Sequence, residues 1–127
     1  MLFRSGRHFI EPESMAAMVE LTNAVLAGLK RSMDFIHMPV PIERDDEAYF
    51  APLKGLKRPA GLEVYLGLIH DRDGVEGSMR RYDAARRHCA GFGVSTECGF
   101  GRMSSEAMPG MMATHEQVMR AIESRSP

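Results

Sequence analysis

Gly93-Val94-Ser95-Thr96-Glu97-Cys98-Gly99-Phe100-Gly101-Arg102 is the stretch that decides how the chain is read. Gly93 to Thr96 has the character of a short β-strand, and it delivers Glu97 and Cys98 to its carboxyl end. Gly99 and Gly101 permit a sharp turn and leave room for a ligand beside the thiol. Working groups of α/β enzymes sit at the carboxyl ends of strands, before such turns. A buried structural cysteine is the competing reading of Cys98, because free cysteine also packs well as a small apolar group.

Working outward, two more strands end in the same way. Met33 to Val40 contains the apolar run Phe35-Ile36-His37-Met38, closed by Pro39 and Pro41, which cannot donate to a sheet ladder. Leu62 to Ile69 is the clearest strand and is followed directly by His70 and the turn Asp71-Arg72-Asp73-Gly74. Helical spacing fills the intervals. A first helix opens at Glu11-Pro12-Glu13-Ser14, presents Met18, Leu21, Thr22, Val25, Leu26 and Leu29, and ends near Lys30-Arg31. A short helix spans Asp45 to Ala51, and a loop runs from Lys54 to Gly61. A third helix, Val75 to Cys89, places Val75, Met79, Tyr82, Ala85 and Cys89 on one face. Its Arg80, Arg81 and Arg87 are expected on a solvated face, and Cys89 in inert packing. The last helix, Ser105 to Glu123, carries Met108, Met111, Met112, His115, Met119 and Ile122 in register, with His115 at its surface or at the core's edge.

Helices and strands that alternate in this order predict an α/β fold with a parallel sheet. His37, His70 and Cys98 then share one sheet edge, which is the sequence argument for a site. The composition adds exclusions. Sixteen basic and seventeen acidic residues give a net charge of −1, so electrostatics make no case for nucleic acid or an anionic membrane. No apolar run approaches the roughly 18 residues of a membrane span, and the opening residues are too short for a signal peptide. The expected location is the cytoplasm. Two cysteines make no disulfide framework, and the eleven methionines fall mostly at helix-core spacing.

Four segments together carry a resemblance: Phe35-Ile36-His37-Met38-Pro39-Val40-Pro41, Asp45-Asp46-Glu47-Ala48-Tyr49-Phe50-Ala51-Pro52-Leu53, Tyr65-Leu66-Gly67-Leu68-Ile69-His70, and Thr96-Glu97-Cys98-Gly99-Phe100-Gly101-Arg102. As a set they are similar to the carboxyl-terminal part of the superfamily of cobalamin-independent methionine synthase and uroporphyrinogen decarboxylase. The resemblance runs from about Gly6 to the end. It implies a (β/α)8 barrel, of which residues 1–127 are a single partial domain holding the last three βα units, with 1–7 irregular. Taken alone, those units are expected to form an open three-stranded parallel sheet, marginally stable or self-associating through its exposed edge.

The resemblance also implies a chemistry. In the methionine synthase family a zinc ion activates a thiol substrate for methyl transfer. Cys98 matches the last cysteine ligand of that site. His37, 61 residues earlier, falls where the family has an acid, and histidine is a competent zinc ligand. His70 resembles a strand-end histidine used as an acid in methyl transfer, while Glu97 and Arg102 are candidate substrate-binding groups. The family's His-x-Cys pair is absent, since His8-Phe9-Ile10 has no cysteine. The implied partners are a small thiol and a methyl donor. Two other readings stand beside this one: a metal-free decarboxylase in which Arg102 binds a carboxylate, and a non-enzymatic α/β binding module with Cys98 in its core.

Overall fold

The computed structural model describes residues 13–97 and 102–125. Its elements are α1 (Ala16–Gly28), β1 (Phe35–Pro39), α2 (Glu47–Phe50) continued by a 3₁₀ turn (Ala51–Gly55), β2 (Glu63–Ile69), α3 (Gly74–Arg86), β3 (Phe92–Thr96) and α4 (Met108–Ser124). The strands form one sheet in the order β1-β2-β3, and both pairings are parallel. The α/β class and the open three-stranded sheet are therefore as the sequence implies.

Alternation along the strands sorts the side chains onto two unlike faces. Met38 and Val40, Val64, Leu66 and Leu68, and Val94 make one face. They pack with Met79, Ala84 and Ala85 of α3, Met111 and Val118 of α4, and Met15 and Val19 at the start of α1. A fully buried side chain of this size contributes about 1.5–3 kcal/mol, so this face holds the fold. On the other side lie Phe35, His37, Glu63, Tyr65 and Ser95, which line an open depression of about 390 Å³. Phe35 is 61% exposed there.

Two glycines shape that open face. A Cβ on Gly93 would sit 2.6 Å from the Tyr65 ring, and one on Gly67 would sit 2.8 Å from His37 Nε2. Each glycine thus leaves the space into which a neighbouring strand's ring leans. Between Leu66↔Val94 and Ile69↔Thr96 the pairing shifts, so β2 holds one residue more than β3. Such a bulge bends a strand and re-aims the side chains beyond it; here the residue just beyond is His70.

The helix faces differ from the periodicity reading. Met15, Val19 and Thr22 are the buried positions of α1, whereas Leu21, Val25 and Leu29 are 67%, 41% and 40% exposed. Leu21, Val25 and Leu29 thus lie outside the core expected of them. Apolar residues surround this helix, and a pattern apolar on two sides cannot select one. The helix is tied down by the Met15 N–H donating to Tyr49 O at 3.0 Å and by Asn23, whose side chain donates to Gly55 O at 3.0 Å and accepts from the Lys57 N–H at 2.8 Å. In α4, likewise, Met111, Thr114 and Val118 turn inward and Met112 stays exposed.

The largest correction concerns Arg81. Expected on a solvated face, it is 1% exposed and is the bulkiest fully buried side chain among the described residues. Its guanidinium donates to Leu68 O (2.7 Å), Ile42 O (2.8 Å) and both Asp73 oxygens (2.7 and 2.9 Å). A fork of five donors satisfies acceptors in several directions at once, which is why an arginine is tolerated there. Arg80 and Arg87 are exposed as expected. Arg58 plays a similar part at the other end of the sheet, clamping Leu62 O to Ala90 O and Gly91 O. Cys89 is half-buried against the core and burial raises its thiol pKa, which fits inert packing.

Candidate functional site

The carboxyl ends of the three parallel strands meet along one edge, as parallel pairing requires. His37, on β1, leans across β2 over Gly67 and reaches β3, where its Nε2 lies 3.1 Å from Thr96 O. A carbonyl only accepts, so this contact places the proton on Nε2 and leaves the lone pair on Nδ1. Thr96 stands two residues before Cys98. Cys98 itself lies outside the described residues.

His70 follows β2. Its Nε2 donates to Val40 O at 2.7 Å, and its backbone N–H faces Ser78 Oγ at 3.4 Å. Its Nδ1 is again the nitrogen with the lone pair. Burial holds the imidazole below its ordinary pKa of 6.5. The Val40 bond opposes that, the Arg81 charge adds to it, and Glu97 and Asp73 oppose it. His70 is therefore neutral at pH 7, with the charged form disfavoured by burial.

A small cavity of about 60 Å³ adjoins it, lined by His70, Asp71, Thr96, Glu97, Met103 and Met111 among others. That volume admits a water or two and no substrate. Asp71, in its wall, accepts from Thr114 Oγ1 of α4 at 2.8 Å. Asp73 sits behind, paired with Arg81. Burial acts to raise the Asp73 carboxyl, but the Arg81 hydrogen bonds and charge outweigh it, and the net position is below 3.8.

Of the expected residues, then, His37, His70 and Glu97 converge on the end of β3, the first through Thr96 O and the second through the small cavity. The two histidines occupy different hollows, on the open face and beside α4. Arg102 is exposed. Asp71, Asp73, Thr114 and Arg81 were missed. The sequence signal for Asp71 and Asp73 was their place in the strand-end turn; for Arg81 there was none, because helical spacing alone put it beside solvated Arg80.

His37 fits a metal ligand's role. Histidines that bind metals usually donate their other ring N–H to a carbonyl or carboxylate, and Nε2–H to Thr96 O is that arrangement, with Nδ1 left for the metal. Among the described residues, however, no three His, Cys, Asp or Glu side chains come together as a metal site. His37 would need Cys98 and donors beyond the described residues.

No family model matches the chain, and neither the curated proteins nor the solved structures compared with it give a match. Among the described residues, no helix is long and apolar enough to cross a membrane.

The neutral state of His70 has a measurable consequence. The unfolded chain takes up a proton near pH 6.5, before the folded chain does, so stability falls as pH drops from about 6.5 to the depressed folded value. The slope from one group is at most about 1.4 kcal/mol per pH unit. Urea melts between pH 7.5 and 5 are expected to show a flatter dependence for His70→Gln than for the unaltered chain. Equal slopes would mean that His70 titrates as it does in water.

Proposed function

We propose that the chain is the carboxyl-terminal part of a (β/α)8-barrel enzyme that transfers a methyl or other alkyl group to a small thiol, similar to cobalamin-independent methionine synthase. The observation that carries this reading is the His37 Nε2–H bond to Thr96 O, which holds a ligand-type imidazole beside the strand end that leads to Cys98. The open face bearing Phe35, Tyr65 and His37, and outer edges of β1 and β3 that pair with no strand among the described residues, support membership of a larger parallel sheet.

His37 and Cys98 would be two ligands of a zinc ion, which supplies stabilisation of a bound substrate thiolate. His70 is neutral, with Nδ1 free of the Val40 bond, and the proton it takes from the substrate thiol passes through water in the small cavity beside it, which admits no substrate. The thiolate sulfur forms its bond to the alkyl carbon as the carbon–donor bond breaks. The proton on His70 then passes to the leaving group, so His70 ends as it began. His70 is thus both base and acid, which refines the acid role implied by the resemblance. Glu97, which lines the small cavity beside His70, and exposed Arg102 are the substrate-binding candidates.

Cobalt(II) titration of the purified chain tests the ligand assignment, since thiolate ligation adds a near-ultraviolet charge-transfer band. The band is expected in the unaltered chain and lost in Cys98→Ser. His37→Ala is expected to weaken binding by at least about tenfold, the lower range for loss of even an outer-sphere metal contact. A Cys98→Ser chain that binds cobalt as tightly and with the same spectrum ends this assignment.

A further inference from the structure

The hydrogen bonds of Arg81 converge on the surroundings of His70. One goes to Leu68 O, two residues before His70 on the bulged end of β2. A second goes to Ile42 O, two residues after Val40, whose carbonyl receives the His70 Nε2 proton. The remaining donors grip Asp73, just before α3, and lie 3.4 Å from Ser78 Oγ, which faces the His70 backbone N–H. One buried side chain therefore joins the strand that carries the histidine, the loop that carries its acceptor and the helix beneath both.

We propose that Arg81, anchored by Asp73, is a positioning residue for His70: it sets the distance between β2's end and the Val40–Ile42 loop and so holds the imidazole in its Nε2–H form. The charged groups facing His70 are Arg81 and Asp73 from the α3 side and Glu97 after β3, with Asp71 next in the chain. Among these, Arg81 alone also holds the acceptor loop. Lysine at 81 would keep the charge but not the fork, since an ammonium cannot serve Leu68 O, Ile42 O and both Asp73 oxygens in their separate directions. This inference rests on the proposed reaction only in naming His70 as the proton-transfer group; its test needs neither metal nor thiol.

The test is ¹⁵N NMR of the histidine rings at pH 7.5, with His70 assigned by its absence in His70→Gln. In the unaltered chain His70 is expected as the Nε2–H form. In Arg81→Lys the ratio of Nε2–H to Nδ1–H is expected to fall on the order of fivefold, the worth of one hydrogen bond. Arg80→Lys, at the exposed neighbouring position, should leave it unchanged. A folded Arg81→Lys chain with the original ratio overturns the proposal. Should that variant not fold, Asp73→Asn, which loosens the anchor and keeps the fork, gives the same reading: a fallen ratio supports the proposal and an unchanged one overturns it. Failure of cobalt to bind at Cys98 would sink the proposed reaction and leave this result standing.

Discussion

Replacing Arg81 with methionine is expected to destabilise the fold by about 3–5 kcal/mol, the usual penalty for removing one partner of a buried ion pair. Methionine fills much of the space, so a cavity is not the main cause. Three acceptors lose their donor together: the Asp73 carboxylate, Leu68 O and Ile42 O. Asp73 is only 25% exposed on its side chain, so water replaces the lost bonds poorly. Small domains have about 5–15 kcal/mol in total, so Arg81→Met should show a much lower urea midpoint or no cooperative transition. The double change Arg81→Met with Asp73→Asn removes the charge that would be stranded, and should be more stable than Arg81→Met alone. If the single variant melts within 1 kcal/mol of the unaltered chain, Arg81 is not the tie that its geometry describes.

Gly77→Ala should also destabilise, by about 1–3 kcal/mol, the range for forcing atoms into a packed site. Helix propensity says the opposite, since alanine in a helix interior is favoured over glycine by about 1 kcal/mol. The structure decides the sign. Gly77 lies in the first turn of α3, its N–H bonded to Asp73 O, and a Cβ there would overlap the Asp73 carboxylate. Rotation of that carboxylate would relieve the overlap only by breaking its bidentate contact with Arg81. In an Asp73→Ala background the obstruction is gone, and Gly77→Ala should then stabilise, as propensity predicts. Denaturation of the four chains reads the reversal directly, and destabilisation in both backgrounds would place the cause elsewhere. Gly74, three residues earlier, is required for a different reason: its φ of +61° closes the turn after β2.

Both predictions fall on a network that no pattern in the chain announces. Strand positions were legible, because Leu62 to Ile69 and Phe35 to Met38 carry near-continuous apolar runs between glycines and prolines. The place of His70 just past β2 followed from the same runs; His37, expected at its strand's end, lies mid-strand in β1 opposite Tyr65 and reaches the end of β3 only through its side chain. What each histidine does there was not legible. Which ring nitrogen holds the proton depends on Thr96 O and Val40 O, carbonyls 59 and 30 residues away in the chain. Cys98, Gly99, Phe100 and Gly101 lie outside the described residues, so the stretch with the strongest sequence signal contributes its reading through Thr96 and Glu97 alone.

By itself, the sequence determined the order of elements, the parallel sheet and the common edge for His70 and the end of β3, because these depend on local periodicity and on turn residues. Tertiary structure alone decided which side of α1 and α4 is buried, that Arg81 lies in the core and that His70 is held neutral. A helix with apolar residues on more than one side, as α1 has in Val19, Leu21 and Val25 and α4 in Met111, Met112 and Met119, offers no single preferred side until another element docks. A guanidinium enters a core only where several acceptors from separate parts of the chain already converge.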